Sequence, residues 1–119
     1  MSEIARLEVL DDTDVPLARL EGEVDISNSA EIASTLHAAV GNAALGVVLD
    51  LSETTYLDSA GIRLLFELAR RLARRQQQLR LVVPEGSPVL RVLLLTDVEA
   101  VAALERSVEE ATANIRAAA

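Results

Sequence analysis

The 119-residue chain contains no cysteine and no tryptophan, and its only aromatic residues are Tyr56 and Phe66. The lack of cysteine excludes a disulfide framework, a thiol nucleophile and a thiolate metal ligand. The scarcity of aromatics argues against a stacking platform for single-stranded nucleic acid. No stretch approaches the ~20 apolar residues of a membrane-spanning helix, and the first ten residues lack the apolar centre of a signal peptide. Together these absences predict a cytoplasmic protein.

The chain also has few histidines, and its glycines are not clustered. The five glycines are dispersed along the chain, so it has neither a phosphate-binding loop nor a dinucleotide fingerprint. His37, the only histidine, lies off the apolar stripe of its predicted helix, and we expect it to be solvated. It has no partners for a catalytic triad and no co-ligands for a metal. We therefore predict no catalytic residue, no metal and no cofactor.

The formal net charge of −8 predicts solubility and repulsion of anionic partners. One segment departs from this balance, because arginines line one face of the helix predicted from residue 59. Glu67 stands four residues before Arg71, the favourable order for a weak ion pair. A nucleic-acid surface is one interpretation, but the acidic composition favours a solvated face. The arginines concerned are Arg63, Arg70, Arg71, Arg74 and Arg75.

Hydrophobic periodicity predicts the order of elements. Alternating residues at 5–9 and 18–24, separated by a polar turn at 11–14, predict an N-terminal hairpin. Ile32, Leu36 and Val40 predict a helix that ends near Gly41, capped by Asn28 with Glu31 or by Ser27. Residues 46–51 predict a buried strand. A loop at 52–58 then leads to a long helix, whose predicted core face is Ile62, Leu65, Phe66, Ala69 and Leu72.

The remaining residues complete an α/β pattern. A strand is predicted at 79–83, a short helix from Ser87-Pro88, a brief strand near 101–104, and a last helix capped by Ser107 with Glu110. This order predicts a single domain over residues 1–119. Its fold class is an α/β sandwich with a mostly parallel sheet of four to five strands, an antiparallel N-terminal edge strand and about four helices.

Ser59 stands where a hydrophobic strand and its loop lead into the first turn of the long helix. The first amides of a helix have no internal partner and carry partial positive charge, so they favour an anion. A phosphate on Ser59 could accept hydrogen bonds there. Simple capping by Asp58 or Ser59 explains the same spacing, and the spacing alone favours capping.

Three segments make the chain resemble the STAS domain family, and within it the stand-alone anti-sigma-factor antagonists of bacteria. They are Gly22-Glu23-Val24-Asp25, Asp50-Leu51-Ser52 and Tyr56-Leu57-Asp58-Ser59-Ala60-Gly61. The order of elements and the length agree, so the resemblance covers nearly the whole chain. Many relatives have a second hydroxyl where this chain has Ala60, which leaves Ser59 as the sole acceptor in the motif.

The resemblance implies a non-enzymatic, partner-switching protein with Ser59 as the phosphorylation site. The unphosphorylated form would bind an anti-sigma serine kinase and free the sigma factor, phosphorylation would abolish binding, and a serine phosphatase would reset the protein. It would be a monomer or weak dimer, without direct nucleic-acid binding or membrane insertion. The partner-binding residues implied are Asp25, Ser27, Asn28, Asp58, Ser59, Ala60, Gly61 and Arg63.

Two other functions stay open. The chain could be an accessory STAS subunit of a membrane transporter, bound to the transporter's ATPase, which needs no phosphorylation cycle at the serine. It could also be a scaffold in a large multi-STAS assembly. An enzymatic function is the weakest interpretation, because no set of residues in the sequence predicts a substrate.

Overall fold

The computed structural model describes residues 5–10 and 14–119, and a six-stranded mixed sheet organises them. The predicted polar turn falls largely on residues 11–13, which lie outside the described part. The strands are β1 (Arg6–Leu10), β2 (Leu17–Val24), β3 (Gly46–Asp50), β4 (Thr54–Leu57), β5 (Gln78–Val82) and β6 (Ala103–Glu105). The helices are α1 (Ser29–Ala39), α2 (Ser59–Arg74), α3 (Leu90–Leu95) and α4 (Val108–Ala117), with a 3-10 turn at Val98–Ala100.

The predicted hairpin and sheet type are confirmed. β1 pairs with β2 antiparallel, every other pairing is parallel, and the main path runs β1-β2-β3-β5-β6. β2 changes partner along its length. Its first half pairs with β3, and beyond a register shift at Gly22 its second half pairs with β4. Gly22 has φ +93°, a conformation that L side chains rarely adopt, so glycine suits this bend.

β4 lies inside the segment predicted as a loop, and it raises the strand count above the predicted four to five. β4 is only four residues long, and Tyr56 within it is exposed, so the segment shows no apolar run. It is held by tertiary contacts. The buried Thr54 hydroxyl donates to the Leu20 carbonyl at 2.6 Å, and Val24 lies in register with Leu57. The ends of β2 and β4 therefore lie side by side.

Helices cover both faces of the sheet. Alternate residues of β3 and β5, such as Val47, Leu49 and Leu81, join α1, α2 and α3 in the larger core. Val48 and Val82 point to the opposite face and pack against Ala111 and Ile115 of α4. A central strand covered on both faces is apolar throughout, which is the prediction made for residues 46–51 and confirmed here.

Two predicted helix starts are corrected. The Asn28 side chain forms no cap on α1, and neither does that of Ser27, because both bond within the preceding loop. α3 begins at Leu90, after a turn over residues 84–89, rather than at Ser87-Pro88. The cap of α4 is confirmed, since the Ser107 hydroxyl accepts from the Glu110 amide at 3.1 Å.

The helix faces differ in part from prediction. Ile62 and Phe66 of α2 pack against the core but are only partly buried, whereas Leu64 and Leu68, which were not predicted, are fully buried. His37 is not the solvated residue predicted. It is half-buried between α1 and α2, and its Nε2 atom is shielded from solvent without a hydrogen-bond partner among the described residues.

Candidate functional site

The site predicted from sequence lies where β2 and β4 end. Because Val24 and Leu57 are partners in a parallel pair, the next residues, Asp25 and Asp58, emerge at the same edge of the sheet. The helices α1 and α2 start from these two loops. We call the surface formed by residues 25–28 and 58–63 the Ser59 surface. Side chains at the carboxyl ends of parallel strands form the usual binding edge of such a sheet.

Asp58 is the N-cap of α2, which decides between the two caps left open by the sequence. Its backbone is extended, and Oδ1 accepts from the amides of Ala60 at 2.8 Å and Gly61 at 3.0 Å. Its second oxygen, Oδ2, accepts from the Ile26 amide at 3.2 Å. One carboxylate therefore satisfies the first turn of α2 and ties it to the neighbouring loop.

Ser59 is consequently left free by the cap. It is exposed, and no partner within the described part of the chain bonds its hydroxyl or its amide. A serine hydroxyl offered to solvent on a rigid helix end is accessible to a modifying enzyme. The amides of Ala60 and Gly61 are occupied by Asp58, so a phosphate on Ser59 would not find the three free amides that a bare helix end offers.

Gly61 is fixed by packing rather than by backbone conformation. A Cβ atom there would lie 3.1 Å from Leu57 Cδ2 and 3.2 Å from the Val24 carbonyl oxygen. The first turn of α2 thus rests directly on the ends of β2 and β4. Gly61 is buried, so any contribution it makes to partner binding comes through this close approach and not through surface contact.

Asn28 is also buried and shapes the neighbouring loop. Its Oδ1 accepts from the Asp25 amide at 3.0 Å, and its Nδ2 donates to the Glu23 carbonyl at 2.9 Å. Asp25 in turn accepts from the Ser27 hydroxyl and, at 2.9 Å, from the Ser27 amide. These bonds favour the carboxylate and so lower the pKa of Asp25 below its ordinary 3.8, and the bond from the Ser27 hydroxyl has the largest effect.

Ile26 is the feature that sequence reasoning missed. Its side chain is 82% exposed although it is large and apolar. It borders a recess of about 250 Å³, whose other lining residues are Ser29, Ala30, Ala33, Ala60, Arg63, Leu64 and Glu67. The sequence did contain a signal. Ile26 stands between the polar residues Asp25 and Ser27, and it belongs neither to the alternating apolar residues of β2 nor to the apolar stripe of α1. An exposed apolar residue beside a shallow recess is typical of a protein-binding surface.

The structure therefore brings most of the predicted residues onto one surface. Asp25, Ser27, Ser59 and Arg63 are accessible there, and Arg63 stands one helical turn beyond Ser59. Among the described residues, no group of three or more His, Cys, Asp or Glu side chains is placed to hold a metal ion. Nor does any helix within residues 5–10 and 14–119 have the length and apolarity to cross a membrane.

Comparison with known proteins agrees with this geometry. The family model described as STAS domain matches residues 6–111. BtrV of Bordetella bronchiseptica, assigned as an anti-sigma factor antagonist, is 37% identical over 75 residues. That match spans 63% of this chain and 63% of BtrV's own length.

Solved structures share the fold at lower identity. A crystal structure of an anti-sigma factor antagonist from Mycobacterium paratuberculosis has a TM-score of 0.82 at 21% identity, covering 94% of each chain. SpoIIAA in its unphosphorylated form has a TM-score of 0.76 at 19% identity, covering 94% of this chain and 97% of its own. The phosphorylated form of Bacillus SpoIIAA scores 0.66 at 21% identity, covering 93% and 100%.

Proposed function

The chain belongs to the STAS domain family, which matches residues 6–111, and we propose that it is an anti-sigma-factor antagonist controlled by phosphorylation of Ser59. In this proposal the unphosphorylated form binds a serine kinase that doubles as the anti-sigma factor, and so releases the sigma factor in the cytoplasm. Phosphorylation ends the binding, and a serine phosphatase restores it. The protein itself acts by binding and not by catalysis.

One observation supports the proposal above all others. The Ser59 hydroxyl is exposed at the end of α2 and unbonded within the described residues, because Asp58 performs the capping. A serine used as a cap would have to break its own hydrogen bonds to be modified. Here the hydroxyl is available without any local unfolding. The kinship with BtrV and SpoIIAA, the latter solved in both phosphorylation states, supports the same function.

Ile26 supplies an apolar contact beside the serine. It is exposed and its amide is held by Asp58 Oδ2, so the loop presents the side chain in a fixed place. Buried apolar anchors supply much of the binding energy of protein interfaces. We propose that Ile26 inserts into the kinase while Asp25, Ser27 and Arg63 form polar contacts around it.

A phosphate is sufficient to break such an interface. It adds about 1.5–2 negative charges at pH 7, next to the carboxylates of Asp58 and Asp25. Two unit charges about 4 Å apart interact by ~1 kcal/mol in water and ~4 kcal/mol at an effective dielectric of 20. A hundredfold loss of affinity needs only about 2.7 kcal/mol. Repulsion from one acidic group of the kinase is therefore enough, and the backbones of the two forms should superimpose.

The test uses the protein recovered from its own cells and the purified chain. Mass spectrometry should find phosphate on Ser59, and incubation with ATP and candidate anti-sigma serine kinases should modify the chain once. Ser59→Ala should abolish the modification but retain kinase binding, whereas Ser59→Asp should weaken binding about a hundredfold. Ser34→Ala, at an exposed serine on α1, is the matched control and should be modified normally.

Two results contradict the proposal. In the first, both Ser59 variants bind the kinase as the parent does. In the second, the chain co-purifies stoichiometrically with a transporter ATPase and binds it independently of Ser59, which is the behaviour of an accessory transporter subunit.

A further inference from the structure

A second recess lies at the other end of the α1–α2 junction and is not used by the proposed switch. It has a volume of about 290 Å³ and is lined by His37, Glu67, Arg70, Arg71 and Arg74. Ser59 and Arg70 are eleven residues apart on one helix, which corresponds to about 16 Å along its axis. This arginine recess is therefore distinct from the Ser59 surface, and Glu67 borders both it and the recess beside Ile26.

The charge of the arginine recess is opposite to that of the molecule. α2 carries four arginines and one glutamate, in a chain of net charge −8. Other arginines are held in ion pairs with acidic partners, as Arg19 is with Asp50 and Arg80 is with Glu105. The ion pairs of the described residues include none for Arg70, Arg71 or Arg74, so the predicted Glu67–Arg71 pair is not formed.

His37 adds a polar group that lacks a partner. Its Nε2 is one of two buried side-chain polar atoms in the described residues that have none. Buried polar groups are nearly always satisfied, so each exception calls for an explanation. Burial, then the charge of Arg71, and more weakly that of Arg75, hold the pKa of His37 below 6.5, while Glu67 opposes them. An anion in the recess would favour the protonated imidazole instead.

We propose that the arginine recess binds a small polyphosphate anion, with Arg70, Arg71, Arg74 and His37 as the groups that attract it and Glu67 as the single acidic side chain of the lining. Guanidinium groups match phosphate oxygens in charge and in the spacing of their N–H donors. No Phe, Tyr or Trp side chain lines the recess, so phosphate groups, and not a nucleobase, are what its guanidinium groups match best. The net charge of −8 disfavours a long nucleic-acid backbone, because its phosphates outside the recess would be repelled by the acidic remainder of the chain.

The experiment follows the imidazole signals of His37 by NMR while inorganic pyrophosphate is added at constant ionic strength. Because the chain has one histidine, these signals report on the arginine recess alone. We expect a saturable shift and a higher pKa of His37 in the bound state. The double variant Arg70→Ala with Arg74→Ala should weaken binding at least about tenfold. Arg91→Ala removes an exposed arginine outside the recess and should leave binding unchanged.

Three outcomes would overturn the inference. The first is the absence of any saturable shift with pyrophosphate. The second is equal weakening by Arg91→Ala, which would indicate non-specific charge attraction. The third is retention of the chain on DNA through Arg70 and Arg74 without competition by pyrophosphate, which would assign these arginines to nucleic acid. None of these results bears on kinase binding or phosphorylation at Ser59, so the two proposals stand or fall separately.

Discussion

The Oδ2 atom of Asp58 accepts a hydrogen bond from the backbone amide of Ile26 at 3.2 Å, joining two loops that are 32 residues apart in sequence. The other oxygen of the same carboxylate caps α2. The residue before the proposed phosphorylation site therefore also fixes the most exposed apolar residue of the surface. Ser59, the cap formed by Asp58 and the exposed side chain of Ile26 are therefore held in place together.

Replacing Asp58 should disturb stability and binding together. Asp58→Ala leaves the amides of Ala60, Gly61 and Ile26 without their acceptor, and we expect a loss of about 1–2 kcal/mol in the free energy of unfolding. It should also weaken kinase binding, because the Ile26 loop is released. Urea unfolding and a binding titration measure the two effects.

The matched control for Asp58 is Ser107, which caps α4 through the Glu110 amide away from the Ser59 surface. Ser107→Ala should cost about 1 kcal/mol and leave kinase affinity unchanged. Equal binding by the Asp58 and Ser107 variants would show that the bridge to Ile26 has no part in recognition.

Ile26 should matter for binding but not for folding. Its side chain is 82% exposed, so Ile26→Ser removes little buried surface and should change stability by less than about 0.5 kcal/mol. If it is an anchor, the same change should cost at least about tenfold in kinase affinity. Leu95→Ser is the control, since Leu95 is 74% exposed at the end of α3. A similar loss of affinity for both variants would indicate non-specific hydrophobic binding instead of a defined contact at Ile26.

Three glycines should respond to alanine in a fixed order. At Gly46 a Cβ would lie 2.5 Å from the Gln78 carbonyl oxygen, at Gly61 it would meet Leu57 at 3.1 Å, and at Gly41 it would meet nothing within 4 Å. Gly61→Ala should cost roughly 1–3 kcal/mol as overpacking, and Gly46→Ala more, because backbone cannot yield. Gly41→Ala should be neutral or stabilise by about 0.4–1 kcal/mol. Urea midpoints give the order, and a Gly61 variant as stable as the parent would refute the close-packing account.

The ends of β2 and β4 show which parts of the site could be predicted from the sequence. Gly22-Glu23-Val24-Asp25 could be assigned to a strand end and Asp58-Ser59 to a helix start, because local alternation and capping chemistry are visible in the residues themselves. Whether Asp58 or Ser59 caps α2 could not be decided, since both have the required oxygen. In the structure Asp58 Oδ1 accepts from the Ala60 and Gly61 amides, while Oδ2 accepts from the Ile26 amide, a long-range contact that spacing does not encode.

The errors have the same origin. Asn28 and Glu31 have the spacing of a capping box, but the Asn28 amide group bonds Asp25 and Glu23 instead, because the chain turns tightly there. β4 was predicted as loop because it has no apolar face of its own. It is held instead by the hydrogen bond from Thr54 to the Leu20 carbonyl, which the sequence does not reveal. His37 was predicted to be solvated because helical periodicity cannot show that α2 packs beside it. Local patterns predicted the elements, and contacts between elements decided these details.

His37 should make the stability of the fold depend on pH. Its pKa in the folded chain is lowered from 6.5, first by burial and then by Arg71, while Glu67 raises it. Below about pH 6.5, His37 is therefore protonated in the unfolded chain but still largely neutral in the folded chain. The contribution of His37 to stability is complete above that pH and is lost as the pH decreases towards the folded pKa. His37→Gln should remove this part of the pH dependence, as urea unfolding at about pH 7.5 and about pH 5.5 would show.

Two variants on α2 should then move the pKa of His37 in opposite directions. Arg71→Ala removes a positive neighbour and should raise it, whereas Glu67→Gln removes the opposing negative charge and should lower it further. NMR titration of the single imidazole measures both shifts, with Arg91→Ala as the unshifted control. The sign is the decisive quantity, because a general loosening of the α1–α2 junction would expose the imidazole and raise its pKa in both variants. A rise in the Glu67 variant would therefore contradict the electrostatic account of this recess.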